Sequence, residues 1–191
     1  MTDTADRLIE EAAHLIVQAG YNGFSYANLA AVVGIRKASI HHHFPSKADL
    51  VAAAIARRRA VIQAQIATLE REAPDALVQL QAYVAHWQRC IQDQSAPFCL
   101  AGLLAVELPG LSAPVAAAVQ GHFDDMGQWL LRLMQLGVQQ GSITLERSPV
   151  LSSQFFQTAV YGAMLMARAY TDSARFTLVT DTFLARMRGT R

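Results

Sequence analysis

Arg36, Lys37, Ser39, His41 and His42 fall close together on a stretch whose large aliphatic side chains are Ile35 and Ile40. Such a set suits binding to nucleic acid. Arg and Lys reach phosphates or guanine edges, Ser donates or accepts, and a neutral imidazole does the same. Ile35 and Ile40 would anchor the segment and leave the polar residues outward. The run His41-His42-His43 looks at first like a metal cluster. Successive helical side chains point about 100° apart, however, and cannot converge on one ion. Mixed roles are expected instead, with His43 and Phe44 packing inward and His41 and His42 facing out.

Two short helices must position these residues. Ser25 is a good N-cap for the first, with Asn28 three residues later in the place of the usual capping-box acid. Leu29, Ala30 and Val33 give that helix an apolar side. Gly34 can take a positive φ at little cost and turn the chain. The second helix runs to Phe44-Pro45, where proline stops it. Ser46 then caps a long helix, with Asp49 in its first turn, where the dipole favours an anion. This is the construction of a helix-turn-helix.

The first 50 or so residues resemble the DNA-binding domain of the tetracycline-repressor-like (TetR/AcrR) regulators. The matching residues are Gly20-Tyr21-Asn22-Gly23, Ser25, Leu29-Ala30, Gly34-Ile35, His43-Phe44 and Pro45-Ser46-Lys47. The chain departs from the pattern at His41, where Tyr is usual, at Ala38, often Gly, and at Ala27, often basic. The resemblance implies an all-α fold of about nine helices. A three-helix helix-turn-helix domain would span 1–48, and a helical effector-binding and dimerisation domain 49–191. It implies a homodimer on a palindromic operator in double-stranded DNA, commonly a repressor, released by a small ligand. Ser25, Arg36, Lys37, Ser39, His41 and His42 would face DNA, and Lys47 would contact a backbone phosphate.

Composition agrees with this reading. Charged residues make up 16% and hydrophobic ones 52% of the 191. That apolar surplus is expected to go into a subunit interface and an internal pocket. No apolar run approaches the roughly 18 residues of a membrane span. Met1-Thr2-Asp3-Thr4 does not open like a signal peptide, and two cysteines offer no disulfide framework, so a cytoplasmic protein is expected. The net charge is only +1, but the two lysines, 37 and 47, both lie in the DNA-facing segment. Asp3, Asp6, Glu10 and Glu11 make the first helix a poor phosphate clamp. Arg57-Arg58-Arg59 spreads around its helix and is expected to be a solvated face.

Past residue 50, helix follows helix: 47 to 72, 75 to 94, 99 to 108, 112 to 140, 148 to 171 and 175 to 188. Aromatic and sulfur-bearing residues gather on the middle ones. Tyr83, His86, Trp87, Cys90, Cys99, Leu103, His122, Met126 and Phe156 are candidates to line a pocket for a small apolar or aromatic effector. The same stripe also describes plain core. Phe155, Ala159, Gly162, Ala163 and Met166, with Phe176, Val179 and Phe183, are candidates for a four-helix dimer interface. Cys99 opens a short helix, and its surroundings resemble those of family members whose cysteine answers electrophiles or oxidants. His86 and Cys90 stand at metal-ligand spacing, a common coincidence on one helix, and neither metal nor cofactor is expected.

Two other classes compete. A thiol-active helical enzyme would use His86 with Cys90, but no catalytic context accompanies them. An architectural DNA-binding protein would be more basic and would not need some 140 residues of apolar helix.

Overall fold

The computed structural model describes residues 4–188, so Asp3 and the Met1–Thr2 start lie outside the described residues. Nine α-helices account for nearly all of them: α1 Thr4–Ala19, α2 Tyr26–Val33, α3 Lys37–His43, α4 Lys47–Glu72, α5 Ala76–Gln92, α6 Leu100–Val106, α7 Ala113–Gln140, α8 Pro149–Tyr170 and α9 Ala174–Met187. A 3-10 turn at Leu108–Gly110 separates α6 from α7. An isolated bridge, Ile143 with Arg188, is the β pairing among the described residues.

The chain packs as two compact units. The first comprises the described residues of Met1–Ile62 together with Cys99–Phe123. Its core is built from Leu8, Ala12 and Ile16 of α1, Leu29 and Val33 of α2, Ile40 of α3 and Leu50, Val51 and Ile55 of α4. Four-residue spacing on α1 and α2, and from Val51 to Ile55 on α4, puts these side chains on one stripe of each helix. Leu100, Leu104, Val115 and Val119 close the same core from α6 and α7.

Polar contacts pin the first unit's edges. The guanidinium of Arg57 pairs with Asp6 and, at 3.3 Å, with Glu10. One member of the arginine run is therefore a helix-to-helix tie rather than a solvated face. The Tyr21 amide donates to Glu107 Oε1 at 2.7 Å, fastening the turn after α1 to the end of α6. Arg7 donates to the Val33 carbonyl at 3.1 Å, satisfying one of the open carbonyls of α2.

The second unit comprises the described residues of Gln63–Phe98 and Asp124–Arg191. Trp129, Leu130, Phe156, Met164 and Phe176 are fully or almost fully buried there, with α8 and α9 packed as an antiparallel pair. This corrects two interface candidates. Ala163 and Phe176 are buried by their own chain, because the α8–α9 pair closes over them, and neither can reach a partner. Phe155, Gly162 and Met166 are exposed, and Ala159, Val179 and Phe183 are half-buried.

Two glycines are needed where they stand. Gly34 has φ +75° and open space around a would-be Cβ, so a side chain there is penalised by the backbone alone. A Cβ on Gly23 would run into the Ala19 carbonyl at the end of α1. Gly34→Ala should cost about 1–2 kcal/mol. Gly23→Ala should cost more, since backbone must move to admit it. Urea unfolding of both variants checks the order.

Candidate nucleic-acid interface

The candidate DNA-facing segment is held by a short chain of caps. Ser25 N–H donates to Asn28 Oδ1 at 3.0 Å, and Asn28 N–H donates back to Ser25 Oγ at 3.3 Å, a complete capping box on α2. The Gly34 and Ile35 amides both donate to the Ala30 carbonyl, at 2.9 and 3.1 Å, and close the turn. α3 follows, with Arg36 at its N-cap position but no side-chain cap bond. Ser46 and Asp49 repeat the box on α4, with Ser46 N–H to Asp49 Oδ2 at 2.9 Å and Asp49 N–H to Ser46 Oγ at 3.2 Å. Asp49 thus does more than favour the dipole: it completes a cap.

Ile40 is fully buried under α3, and Ile35 packs half-buried on the same core. Around them Arg36, Lys37, Ser39, His41 and His42 are exposed. The side chains of Arg36, Lys37 and Ser39 make no hydrogen bond or ion pair among the described residues. Their polar ends are available to another molecule. His42 touches His43 ring to ring, 5.7 Å apart and edge-on.

Two histidines differ from expectation. His43 is exposed rather than packed inward, because Ile40 and Phe44 already fill the inner side of this seven-residue helix. His41 is exposed but tied back. Its Nδ1 lies 3.1 Å from the Pro45 carbonyl, and its ring stands edge-on to Tyr26 at 4.9 Å.

Lys47 is turned towards its own chain. Its ammonium donates to the Phe24 carbonyl at 2.6 Å and sits over the rings of Phe24 and Tyr21, 4.2 and 4.5 Å from their centroids. Burial lowers its pKa, and the nearby Glu107 charge opposes that shift. Ser25 likewise spends its hydroxyl on Asn28.

Tyr26 is the positioning residue that sequence reasoning missed. It is almost fully buried, and its hydroxyl lies within hydrogen-bond reach of the Phe44 carbonyl (3.0 Å) and the Ser46 carbonyl (2.6 Å). It ties α2 to the joint between α3 and α4. Burial first, and the charge of Asp49 second, push its pKa up to about 12. Its place three residues before Leu29 marks it as inward-facing. The partners of its hydroxyl, 18 and 20 residues away, leave no local signal.

The pocket candidates divide between the units. In the first, Cys99 Sγ lies 3.5 Å from His122 Nε2, both residues buried, and Leu103 packs half-buried against the core. In the second, Tyr83 stands edge-on to Trp129 at 5.4 Å, His86 edge-on to Trp87 at 5.6 Å, and Phe156 edge-on to Phe183 at 6.4 Å. Met126 is buried in the same unit. His86 Nε2 lies 3.7 Å from Cys90 Sγ. Among the described residues no group of three or more His, Cys, Asp or Glu could hold a metal ion. No helix is long and apolar enough to cross a membrane.

Comparison with known proteins decides the family. Residues 8–54 match the model of bacterial regulatory proteins of the tetR family, and residues 76–183 that of the tetracyclin repressor-like C-terminal domain. A TetR-family transcriptional regulator from Agrobacterium tumefaciens is 43% identical, with 97% of each chain covered and a TM-score of 0.94. The chain belongs to the TetR family. A TetR transcriptional regulator from Legionella pneumophila is 24% identical, with 98% of this chain and 99% of that one covered, TM-score 0.89. The reduced form of NemR from E. coli is 20% identical over 98% of each chain, TM-score 0.85. A comparison with curated proteins finds no match. As a TetR-family member, the chain is a transcriptional regulator with an all-α fold and a DNA-binding helix-turn-helix, and α2 and α3 are that motif.

Tyr26→Phe isolates the hydroxyl. The variant should lose about 1 kcal/mol of stability near neutral pH. The tyrosine's folded-state pKa is raised, so its contribution is complete below its ordinary value of about 10 and fades as pH rises towards about 12. Denaturation of wild type and variant across that range should show the gap closing at the alkaline end.

Proposed function

We propose that this TetR-family regulator is a dimeric repressor of a palindromic operator, with α3 of each copy in the major groove. The single observation behind this reading is the exposed, unengaged set Arg36, Lys37 and Ser39 on a helix pinned by Ile40. A helix so presented can read base edges, and one copy reads too few base pairs for specificity, so two half-sites are needed. His41 and His42 complete the face. Lys47 acts at one remove: by holding the Phe24 carbonyl it shapes the loop before α2, with any phosphate contact made from that position. The domain roles follow, with DNA binding in 1–48 and sensing and dimerisation in 49–191. The setting is the cytoplasm, where the DNA is.

The dimer seam runs along α8. Leu151, Phe155, Gly162, Leu165 and Met166 recur at steps of three, four and seven residues and are exposed, and Leu178 stands exposed on α9. Nothing lies within 4 Å of a Cβ built on Gly162. A second copy would cover this strip, with Ala159, Val179 and Phe183 at its margin.

Release follows from a small apolar or aromatic effector among Tyr83, His86, Trp87, Cys90, Met126 and Phe156 of the second unit, or from modification of Cys99. The indole N–H of Trp129, beside Tyr83, is buried without a hydrogen-bond partner among the described residues. An effector carrying an acceptor atom would satisfy it, and an unmet buried donor costs about 1–3 kcal/mol. The effector must favour one arrangement of the reading heads, since equal affinity for both shifts nothing. The Cys99 route has a specific observation behind it, the thiol's contact with His122. An activated alkene would add to Sγ, forming a C–S bond as the C=C π bond breaks. The thiol proton would pass to His122 and from there to the carbanion.

Lys37→Ala should weaken binding on the order of tenfold on the true operator, and less on random DNA. Lys47→Ala should weaken both alike. Gly162→Arg should leave a folded monomer with no specific shift, read by sedimentation and electrophoretic mobility. A Gly162→Arg protein that stays dimeric, or a Lys37→Ala protein with unaltered operator affinity, refutes the reading. N-Ethylmaleimide should release wild-type protein from DNA and leave Cys99→Ser bound; equal release of both rules out the thiol route.

A further inference from the structure

The second unit carries a groove whose charged lining the functions above do not use. It has a volume of about 210 Å3 and lies at the first turn of α8. Phe155 and Phe183 give it apolar walls, and Arg147, Arg186, Glu146 and the buried Ser152 line it as well. The guanidiniums of Arg147 and Arg186 form no ion pair among the described residues, although a carboxylate, Glu146, lines the same groove. Two unpaired cations at one apolar groove are an unusual use of charge in a chain with only 16% charged residues.

We propose that this groove binds a small organic monoanion made of one aromatic ring and one carboxylate. Size sets the first limit. A cavity of roughly 150 Å3 holds benzene, so this groove takes one ring and a short acidic arm, not a fused polycyclic body. Charge sets the second. Two guanidiniums against one carboxylate leave a single net positive charge, which suits a monoanion and disfavours a dianion. The positive N-terminal end of α8 adds to the same preference. Geometry sets the third, because guanidinium forks match a carboxylate's two oxygens while Phe155 and Phe183 offer the ring edge-on or stacked contacts.

The groove is complete in one chain, and its lining shares only Phe155 and Phe183 with the proposed dimer strip. The inference stands apart from the operator reading and can fail without it.

Isothermal titration with phenylacetate tests the proposal. Wild type should bind it at millimolar or lower concentration. Arg147→Ala combined with Arg186→Ala should weaken binding by about tenfold or more, since a charge-assisted hydrogen bond is lost at each position. Both side chains are exposed, so the fold should survive, which circular dichroism checks. Glu146→Gln should tighten binding severalfold by removing the opposing charge. Benzyl alcohol, which keeps the ring, and inorganic phosphate, which keeps only negative charge, should both bind more weakly than phenylacetate. The Gly162→Arg variant should bind phenylacetate as wild type does. Absence of phenylacetate binding, binding indifferent to the two arginines, an equal response to either control, or loss in Gly162→Arg would each overturn the assignment.

Discussion

α3 has seven residues, too few to persist as a helix in water by itself. Isolated helices shorter than about 12 residues are marginal even with favourable composition. Everything the exposed face of α3 can do therefore depends on docking this one rod against its own domain. Ile40 supplies the apolar contact, and the Tyr26 hydroxyl supplies the polar one at the far end. The capping boxes at Ser25 and Ser46 hold the helices on either side. With the rod fixed, Arg36, Lys37 and Ser39 are presented at fixed angles rather than searching for them, and less ordering is left to be done on binding.

The remainder of the first unit extends this constraint. Lys47 and Glu107 both grip the segment between α1 and α2, one through the Phe24 carbonyl and the other through the Tyr21 amide. That segment sets where α2 begins, and α2 carries α3. A change at the end of α6 thus has a short mechanical route to the reading surface, through hydrogen bonds of 2.6 to 2.7 Å rather than through a long series of packed side chains.

Much of this was legible in the chain itself. Local chemistry marks the helix limits well. Ser25 with Asn28, Gly34, and Ser46 with Asp49 each announce a boundary through bonds between near neighbours, and each is found in place. The exposed face of α3 follows from Ile35 and Ile40 by helical spacing. Failures came where a side chain chooses between solvent and a distant partner. Lys47 is expected at a backbone phosphate, and nothing local announces its bond to the Phe24 carbonyl, 23 residues earlier. His43 reads as an inward residue until Phe44 takes that place. Ala163 and Phe176 fit an interface pattern as well as they fit a core, because periodicity shows which residues share a face and not what covers it. Cys99–Phe123 joins the N-terminal helices for the same kind of reason, by contacts remote in sequence.

Under the proposed dimer, the exposed strip on α8 also bears on how the protein lives before it has a companion. Phe155, Leu165, Met166 and Tyr170 stand in water on a lone chain, and anything greasy nearby is a substitute for the proper occupant. A freshly translated copy is thus exposed to misdirected sticking for as long as it waits, and scarcity lengthens the wait. On that reading, dilution is a hazard in its own right, separate from heat or acid.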